Sequence, residues 1–448
     1  MGFLRSLFVA AVLLALSSAA FAQAPSSAPL RLSIDDALDR AREQNFQIRS
    51  AAAEAEAARA GKRQTLATFL PQLTVSEQGT ATTDPVNAFG FKLKQEAFTQ
   101  QDLALDALNN PDRVDNFTTK VEVRQPILNL DGLYQRRAAA DRARAADWGR
   151  QRTEAFVTFK VREGYYGLVL AQQRQAVIDS ALTAARANRD QAQDLFDQGM
   201  INRADLLAAR VRVLELESQR TDAQARARNA ADQLRYLLGL EEQVAIELTD
   251  QLQELAVPVD TVDVGQINQQ RSDMRALRFQ ADAAQEQLRA KRANFLPKLN
   301  AFGGYEWNDE VPFGTQGDSW MAGASLSWDL FSGFKNAGAA QRARADLRRA
   351  ELAVRDQALQ NDVQITAALR NLEASRQQLR QAESAIDQAR ESLRIRSDRF
   401  EQGLEQTTDV LNAEVTLANK RLAYLKTLYD HTMNIYRLEL LTERSLAR

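Results

Sequence analysis

Apolar residues recur at every seventh position along one stretch of the chain: Ile365, Leu372, Leu379, Ile386, Leu393 and Phe400, with Ala368, Ser375, Ala382 and Ala389 three residues after the first four. A spacing of seven with a second row three residues on is a coiled-coil seam, and small residues in one row predict helices that approach closely. Moved back by 204 positions, the seam reads Leu168, Leu182 and Phe196 with Ala171, Ile178, Ala185 and Ala192, interrupted by Gln175 and Arg189. Around both seams strong helix formers run without proline, from about 132 to 198 and from about 335 to 402. At 1.5 Å per residue each such helix is on the order of 100 Å long. A glycine-containing break follows each, then a second helical run, 205–240 and 409–441, so each ends in a long antiparallel hairpin. A shorter helix is expected over about 32–68, opened by Ser33 ahead of Asp35 and Asp36.

A second periodicity, of two, marks strands. Trp320, Ala322, Ala324, Leu326, Trp328 and Leu330 share one parity, and Met321, Gly323, Ser325, Ser327 and Asp329 the other. The partner of this strand is the stretch 299–307, separated from it by the turn-rich 308–319. Earlier in the chain Val121 and Val123 alternate with Lys120, Glu122 and Arg124, and 73–80 is a weaker fourth strand. Tyr305, Trp307, Trp320 and Trp328 fall at or close to strand ends, the pattern of an aromatic girdle at a membrane interface, where an amphipathic ring is most comfortable.

These elements are duplicated. Phe196, Gly199, Asp205 and Leu207 recur as Phe400, Gly403, Asp409 and Leu411, and Phe69-Leu70-Pro71 recurs as Phe295-Leu296-Pro297 where a helical stretch gives way to a strand. The chain therefore divides into two copies of one unit, 23–240 and 265–448, joined by a linker over 241–264. The offset falls from 226 at the Phe-Leu-Pro element to 204 at the hairpin break, leaving a surplus of 22 residues in the first copy. The polar stretch 81–118 accommodates them as a long loop between two strands at the outer surface.

Residues 1–22 read as a secretory signal: Arg5, an apolar run over 7–16, and Ala20-Phe21-Ala22 as a cleavage site before Gln23. That run is too short for the roughly 20 residues of a transmembrane helix, and no later stretch is long enough. The absence of cysteine excludes an N-terminal thioether lipid, disulfides and thiolate metal sites. Without Arg5 the 57 basic residues become 56 against 59 acidic ones, both signs interspersed, so no basic field exists for nucleic acid. His431 is the only histidine, and no Walker loop or Gly-x-Ser-x-Gly occurs, which excludes the common catalytic sets; no cofactor or metal site is expected.

Four strands of about ten residues match transmembrane β-strands, yet known spanning barrels start at about eight strands, and an open edge in lipid leaves backbone groups unpaired. Several copies must then share one barrel. The competing class, a soluble periplasmic coiled-coil adaptor or structural protein, predicts neither aromatic-edged alternating strands nor the duplicated Phe-Leu-Pro element.

Over essentially the whole mature chain the order of elements resembles the TolC-type outer-membrane factors, the exit ducts of multidrug efflux and type I secretion machines. The twin Gly-x5-Asp-[Leu/Val]-Leu elements at Gly199 and Gly403 and the duplicated Phe-Leu-Pro carry the resemblance. It implies a mainly α protein with a membrane β-barrel portion: a homotrimer whose 12-stranded barrel in outer-membrane lipid continues as a 12-helix coiled-coil periplasmic tunnel. It implies a passive channel fed by an inner-membrane pump of the RND or ABC type through a periplasmic adaptor. By resemblance, Gly199, Met200, Gly403 and Leu404 form the periplasmic tip that meets the adaptor, and Asp409, Asn412 and Asp205 fall where acidic residues narrow it. The second acidic position of the family is Asn412 here. A tyrosine and an arginine that latch the closed tip in family members are replaced by Phe400 and Glu405, neither able to reproduce those bonds. No methionine or histidine cluster argues for a metal cargo.

Overall fold

The computed structural model describes residues 29–255 and 264–446; the expected signal segment and part of the expected linker lie outside them. A short strand, β1 (Leu30–Leu32), leads to α1 (Ile34–Gln44), which starts with a reciprocal cap: the Asp36 amide donates to the Ser33 hydroxyl at 3.2 Å and the Ser33 amide to the Asp36 carboxylate at 3.1 Å. The single helix expected over 32–68 is in fact two, because α2 (Phe46–Gln64) begins after a break at Asn45. Asn45 takes up extended backbone, and its buried side-chain amide donates to the Leu237 carbonyl at 2.8 Å. A tertiary bond to a carbonyl near a helix end outweighs one more turn of helix.

After β2 (Gln72–Thr82) the stretch expected as a loop is largely helical. Asp84 caps α3 (Pro85–Lys94), accepting from the Asn87 amide at 2.9 Å, with Pro85 in the first turn where its missing N–H costs nothing. A 3-10 turn and the five-residue α4 (Leu105–Asn109) complete it. Strand β3 (Val114–Leu128) is longer than its alternation suggested and tolerates Pro126 through an irregularity between Pro126 and Leu128. There follow α5 (Leu130–Asp197), α6 (Arg203–Leu238), β4 (Ile246–Leu248), α7 (Val264–Gln270), α8 (Ser272–Ala293), β5 (Lys298–Asp309), β6 (Gly317–Ser327), α9 (Lys335–Glu401) and α10 (Thr407–Thr442). The series strand, strand, long helix, shorter helix occurs twice, with long helices of 68 and 67 residues and shorter ones of 36 each.

Two compact units emerge. One gathers the residues through Asn45 with Lys160–Leu255 and Ser375–Met433. Within it the seam is buried as its spacing predicts: Leu182 and Ala185 of α5 pack on Val213 and Leu216 of α6. A buried leucine contributes about 1.5–3 kcal/mol. An exposed ion pair such as Arg186–Glu217 contributes at most about 1 kcal/mol, so the apolar seam decides the packing. Residues 241–255 are not a bare tether. Strand β4 pairs in parallel with β1, and Asp250 accepts from the Ile34 amide at 2.8 Å and the Tyr165 hydroxyl at 2.7 Å. Burial, reinforced by Asp250, pushes the Tyr165 hydroxyl pKa up. His431 is buried in the same unit with Nδ1 2.9 Å from the Ser375 hydroxyl, and burial pushes its pKa down.

The other unit holds, of the described residues, 46–159, 264–374 and 434–446. Its centre is a four-stranded antiparallel sheet in the order β2-β3-β5-β6, so the middle pairing joins a strand of each half of the chain. The end of α10 is closed by two arginines. Buried Arg271 donates to the Leu441 carbonyl at 2.8 Å and grips Asp273 with both arms, at 3.0 and 2.5 Å, while Arg152 donates to the Leu440 carbonyl at 2.9 Å. Positive side chains thus satisfy carbonyls that a helix C-terminus leaves unpaired. The fourth tryptophan, Trp148, lies under the Arg275 guanidinium at 4.4 Å.

Candidate functional site

The sheet has two chemically opposite faces. Register pairs Gln72 with Arg124, Thr74 with Glu122 and Ser76 with Lys120, and these in turn oppose Phe302, Gly304 and Glu306, then Gly323, Met321 and Ser319. This face borders a trough of about 880 Å³ lined by Lys120, Glu122, Arg124, Asn300 and Glu306 among others. Glu122 bridges Lys120 at 2.8 Å and also pairs with Arg124. The other face carries Leu73, Val75, Val121, Val123, Tyr305, Trp307, Trp320 and Leu326 by the same alternation. Leu73 is 68% exposed, Trp320 75% and Leu326 70%, values that suit a lipid-facing wall and not a water-facing one.

The four aromatics separate into two levels. Tyr305 pairs with Trp320, and Trp307 with Asp318, at one end of the sheet; Trp328 follows β6 at the other end, donating to the Phe295 carbonyl at 2.9 Å. Eight residues separate Trp320 from Trp328, roughly 26 Å at about 3.3 Å per residue. At the strand tilt of about 35–45° usual in a barrel this run spans about 20 Å of height, close to the apolar band of about 25 Å of an outer-membrane barrel wall.

At the Tyr305 end the α3 segment folds onto the polar face. Lys94 bridges Glu306 at 2.9 Å, and buried Gln95 donates to Asn116, which donates to Asn308 at 3.0 Å. The backbone passes so close that a Cβ on Gly317 would lie 2.0 Å from the Lys94 carbonyl oxygen. Lys92 and Thr99 hold the Asp102 carboxyl down at about 2 in this segment.

In the unit built from the helical hairpins, both turns have one design. The Gly199 amide donates to the Phe196 carbonyl at 2.9 Å and the Met200 amide to Leu195 at 2.8 Å; Gly403 and Leu404 repeat this with Phe400 and Arg399, both at 2.9 Å. The glycines have φ of 74° and 72°, the left-handed closure that reverses a helix. Met200 and Leu404, the next residues, project exposed into solvent. Asp205 lies in the first turn of α6, its amide donating to the Asn202 side chain at 3.0 Å, and Asp409 in the first turn of α10. Asn412 is exposed and its carbonyl accepts the Thr416 hydroxyl at 2.8 Å. Glu414 accepts from Asn188 at 2.6 Å beside a small cavity of about 170 Å³, and burial pushes its pKa up.

The outer membrane efflux protein family matches residues 37–240 and 264–442. The chain belongs to that family. Among its relatives, the outer membrane protein TolC of Vibrio cholerae is 22% identical over 447 residues, covering 97% of this chain and 94% of TolC. The alkaline protease secretion protein AprF of Pseudomonas aeruginosa is 24% identical over 331 residues, 71% of this chain and 67% of AprF. The fold matches the CmeC outer membrane channel of Campylobacter jejuni with a TM-score of 0.80 at 16% identity, covering 91% of this chain and 85% of CmeC. The outer membrane protein VceC of Vibrio cholerae matches with a TM-score of 0.76 at 18% identity over 92% and 96% of the two chains. The chain is thus an outer-membrane protein with an outer-membrane channel fold.

An ion cluster at the second turn was not foreseen from the sequence. Glu405, expected only to fail as a latch, accepts from Arg396 at 2.7 Å and from Arg399 at 2.9 Å, and Arg396 stands 3.8 Å from Asp409. The signal was present in the repeat: 204 positions earlier the same three places are Ala192, Leu195 and Ile201. Among the described residues no cluster of metal-ligating side chains occurs, and no helix is long and apolar enough to cross a membrane.

Proposed function

We propose that the protein is the passive exit duct of a tripartite efflux or type I secretion system, a homotrimer that receives its cargo from an inner-membrane pump of the RND or ABC type through a periplasmic adaptor. The observation that carries this reading is the open sheet. Strands β2 and β6 are its two edges, each of 11 residues, and one of its faces is apolar. In lipid such edges must be paired, and edges of equal length allow β6 of one copy to pair with β2 of the next in a closed ring. Two copies would give about eight strands, whose interior side chains fill; three give about 12, the first closure with room for an aqueous passage.

The charged face around Lys120, Glu122 and Arg124 then lines the passage, and Tyr305, Trp307, Trp320 and Trp328 mark the two edges of the lipid band. The repeated units 23–240 and 265–448, joined through 241–264, each supply two strands and one hairpin. The hairpin turns form the tip: Met200 and Leu404, presented by Gly199 and Gly403, meet the adaptor, while Asp205, Asp409 and Asn412 border the constriction. What the name of AprF states, secretion of an alkaline protease, belongs to that protein and favours polypeptide cargo only as one of two options here.

Heat-sensitive gel migration of the protein from isolated outer membranes, followed by planar-bilayer recording, tests the reading. A trimer-sized species that survives detergent and forms discrete channels is expected. A monomer or dimer released without detergent would return the chain to the soluble adaptor class.

A further inference from the structure

The two tip turns share a backbone and differ in what pins them. In the first, Phe196 and Ile201 pack on a buried cluster of Ala192, Leu206, Ala209 and Leu411. In the second, the equivalents of Ala192, Leu195 and Ile201 are Arg396, Arg399 and Glu405, and apolar packing gives way to ions. The Glu405 side chain, only 14% exposed, is held between the two guanidinium groups at 2.7 and 2.9 Å. Fixed in this way, Arg396 reaches a half-exposed Asp409 at 3.8 Å. Nearby Arg394 takes no part, being paired with Glu391 at 2.6 Å and Asp398 at 2.8 Å. Asp205 has no ion pair among the described residues, its Arg396 equivalent being Ala192.

We propose that Arg396, positioned by Glu405, determines the ion selectivity of the tip by compensating Asp409. The proposal rests on the tip being the constriction of a channel. Arg396 and Arg399 against Glu405 and Asp409 make this four-residue cluster neutral in each copy, so Asp409 adds no net attraction for inorganic cations to what Glu401 and the rest of the turn supply, while its counterpart Asp205 has no arginine at the equivalent place. All four charges lie well inside the Debye length of about 8 Å at physiological salt, so a passing ion meets their sum.

The signs of the variants follow. Arg396→Ala removes one positive charge and leaves the cluster at −1 per copy. Glu405→Gln leaves it at +1. The double variant returns it to zero. In planar bilayers under a KCl gradient, Arg396→Ala is expected to raise the potassium-to-chloride permeability ratio by about threefold or more, Glu405→Gln to lower it by a similar factor, and the double variant to restore the parental ratio. Arg396→Gln, which keeps a long polar side chain, is expected to act as Arg396→Ala does. A purely structural role would change conductance or open time in both single variants without opposite shifts in selectivity. Shifts of the same sign, or no shift while the parent conducts, would overturn the proposal and leave the channel intact; a parent that forms no channel would remove the proposed function and this inference with it.

Discussion

Ala324 offers the sharpest test of which sheet face meets lipid. It lies on β6 four residues from both Trp320 and Trp328, pairs with Ala301, and shares its face with Ala322 and Leu326. Its neighbour Ser325 pairs with Asn300 and points to the opposite face, where it lines the trough. Arginine at the mid-depth of a lipid-facing wall costs about 2–4 kcal/mol per chain. In a ring of three copies Ala324→Arg is therefore expected to cost about 6–12 kcal/mol, comparable with the whole stability of about 5–15 kcal/mol that proteins ordinarily have. Ser325→Arg places the same charge on the water-facing trough side, level with Asn300, and is expected to change stability by no more than about 0.5 kcal/mol. The readout is the fraction of protein in isolated outer membranes that migrates as a heat-sensitive oligomer. Near-complete loss for Ala324→Arg with retention for Ser325→Arg is expected. Equal losses, or a greater loss for Ser325→Arg, would mean that the two faces have been assigned the wrong way round.

Three further outcomes follow from the structure. Arg271→Ala leaves the Leu441 carbonyl without its partner and Asp273 with only Arg152 at 3.8 Å, and is expected to destabilise by about 2–4 kcal/mol, seen as a lowered thermal midpoint in detergent; an unchanged midpoint would contradict the buried network. His431 has a pKa depressed by burial, with Arg376 acting the same way and Glu254 opposing, so the unfolded chain takes up its proton first as pH falls. Stability is expected to decline from about pH 6.5 downward until the folded-state pKa is passed, and His431→Gln to flatten that slope; an identical pH profile for the variant would refute it. Gly403→Ala meets no atom within 4 Å, so its cost is conformational alone, about 1–2 kcal/mol for an L-residue in the left-handed region, read as faster proteolysis of the second hairpin turn. Gly403→Asn is expected to cost less, and equal cleavage of all three proteins would deny the turn its dependence on glycine.

Periodicity alone makes the long elements legible. The seven-residue seam through Ile365, Leu372 and Leu379 and the two-residue alternation through Trp320 and Leu326 are local, repeat many times, and name both the element and its buried or lipid-facing side. The hairpin turns are legible too, since only glycine closes them cheaply. Four features depend on where the fold places a single partner, three of them far away in the chain. The break at Asn45 exists because the Leu237 carbonyl is there to receive it, 192 residues later. Strand β1 becomes a strand only by pairing with β4, and the helix Pro85–Lys94 within the stretch 81–118 is placed where Lys94 and Gln95 find partners on the polar face of the sheet. Arg396, Arg399 and Glu405 read in sequence as solvated helix charges and become a cluster only once the turn at Gly403 folds one helix end back on the other. Repeating patterns report the average environment of an element and so survive in one dimension. Single polar contacts depend on the placement of one partner by the whole fold, and only the tertiary structure decided them.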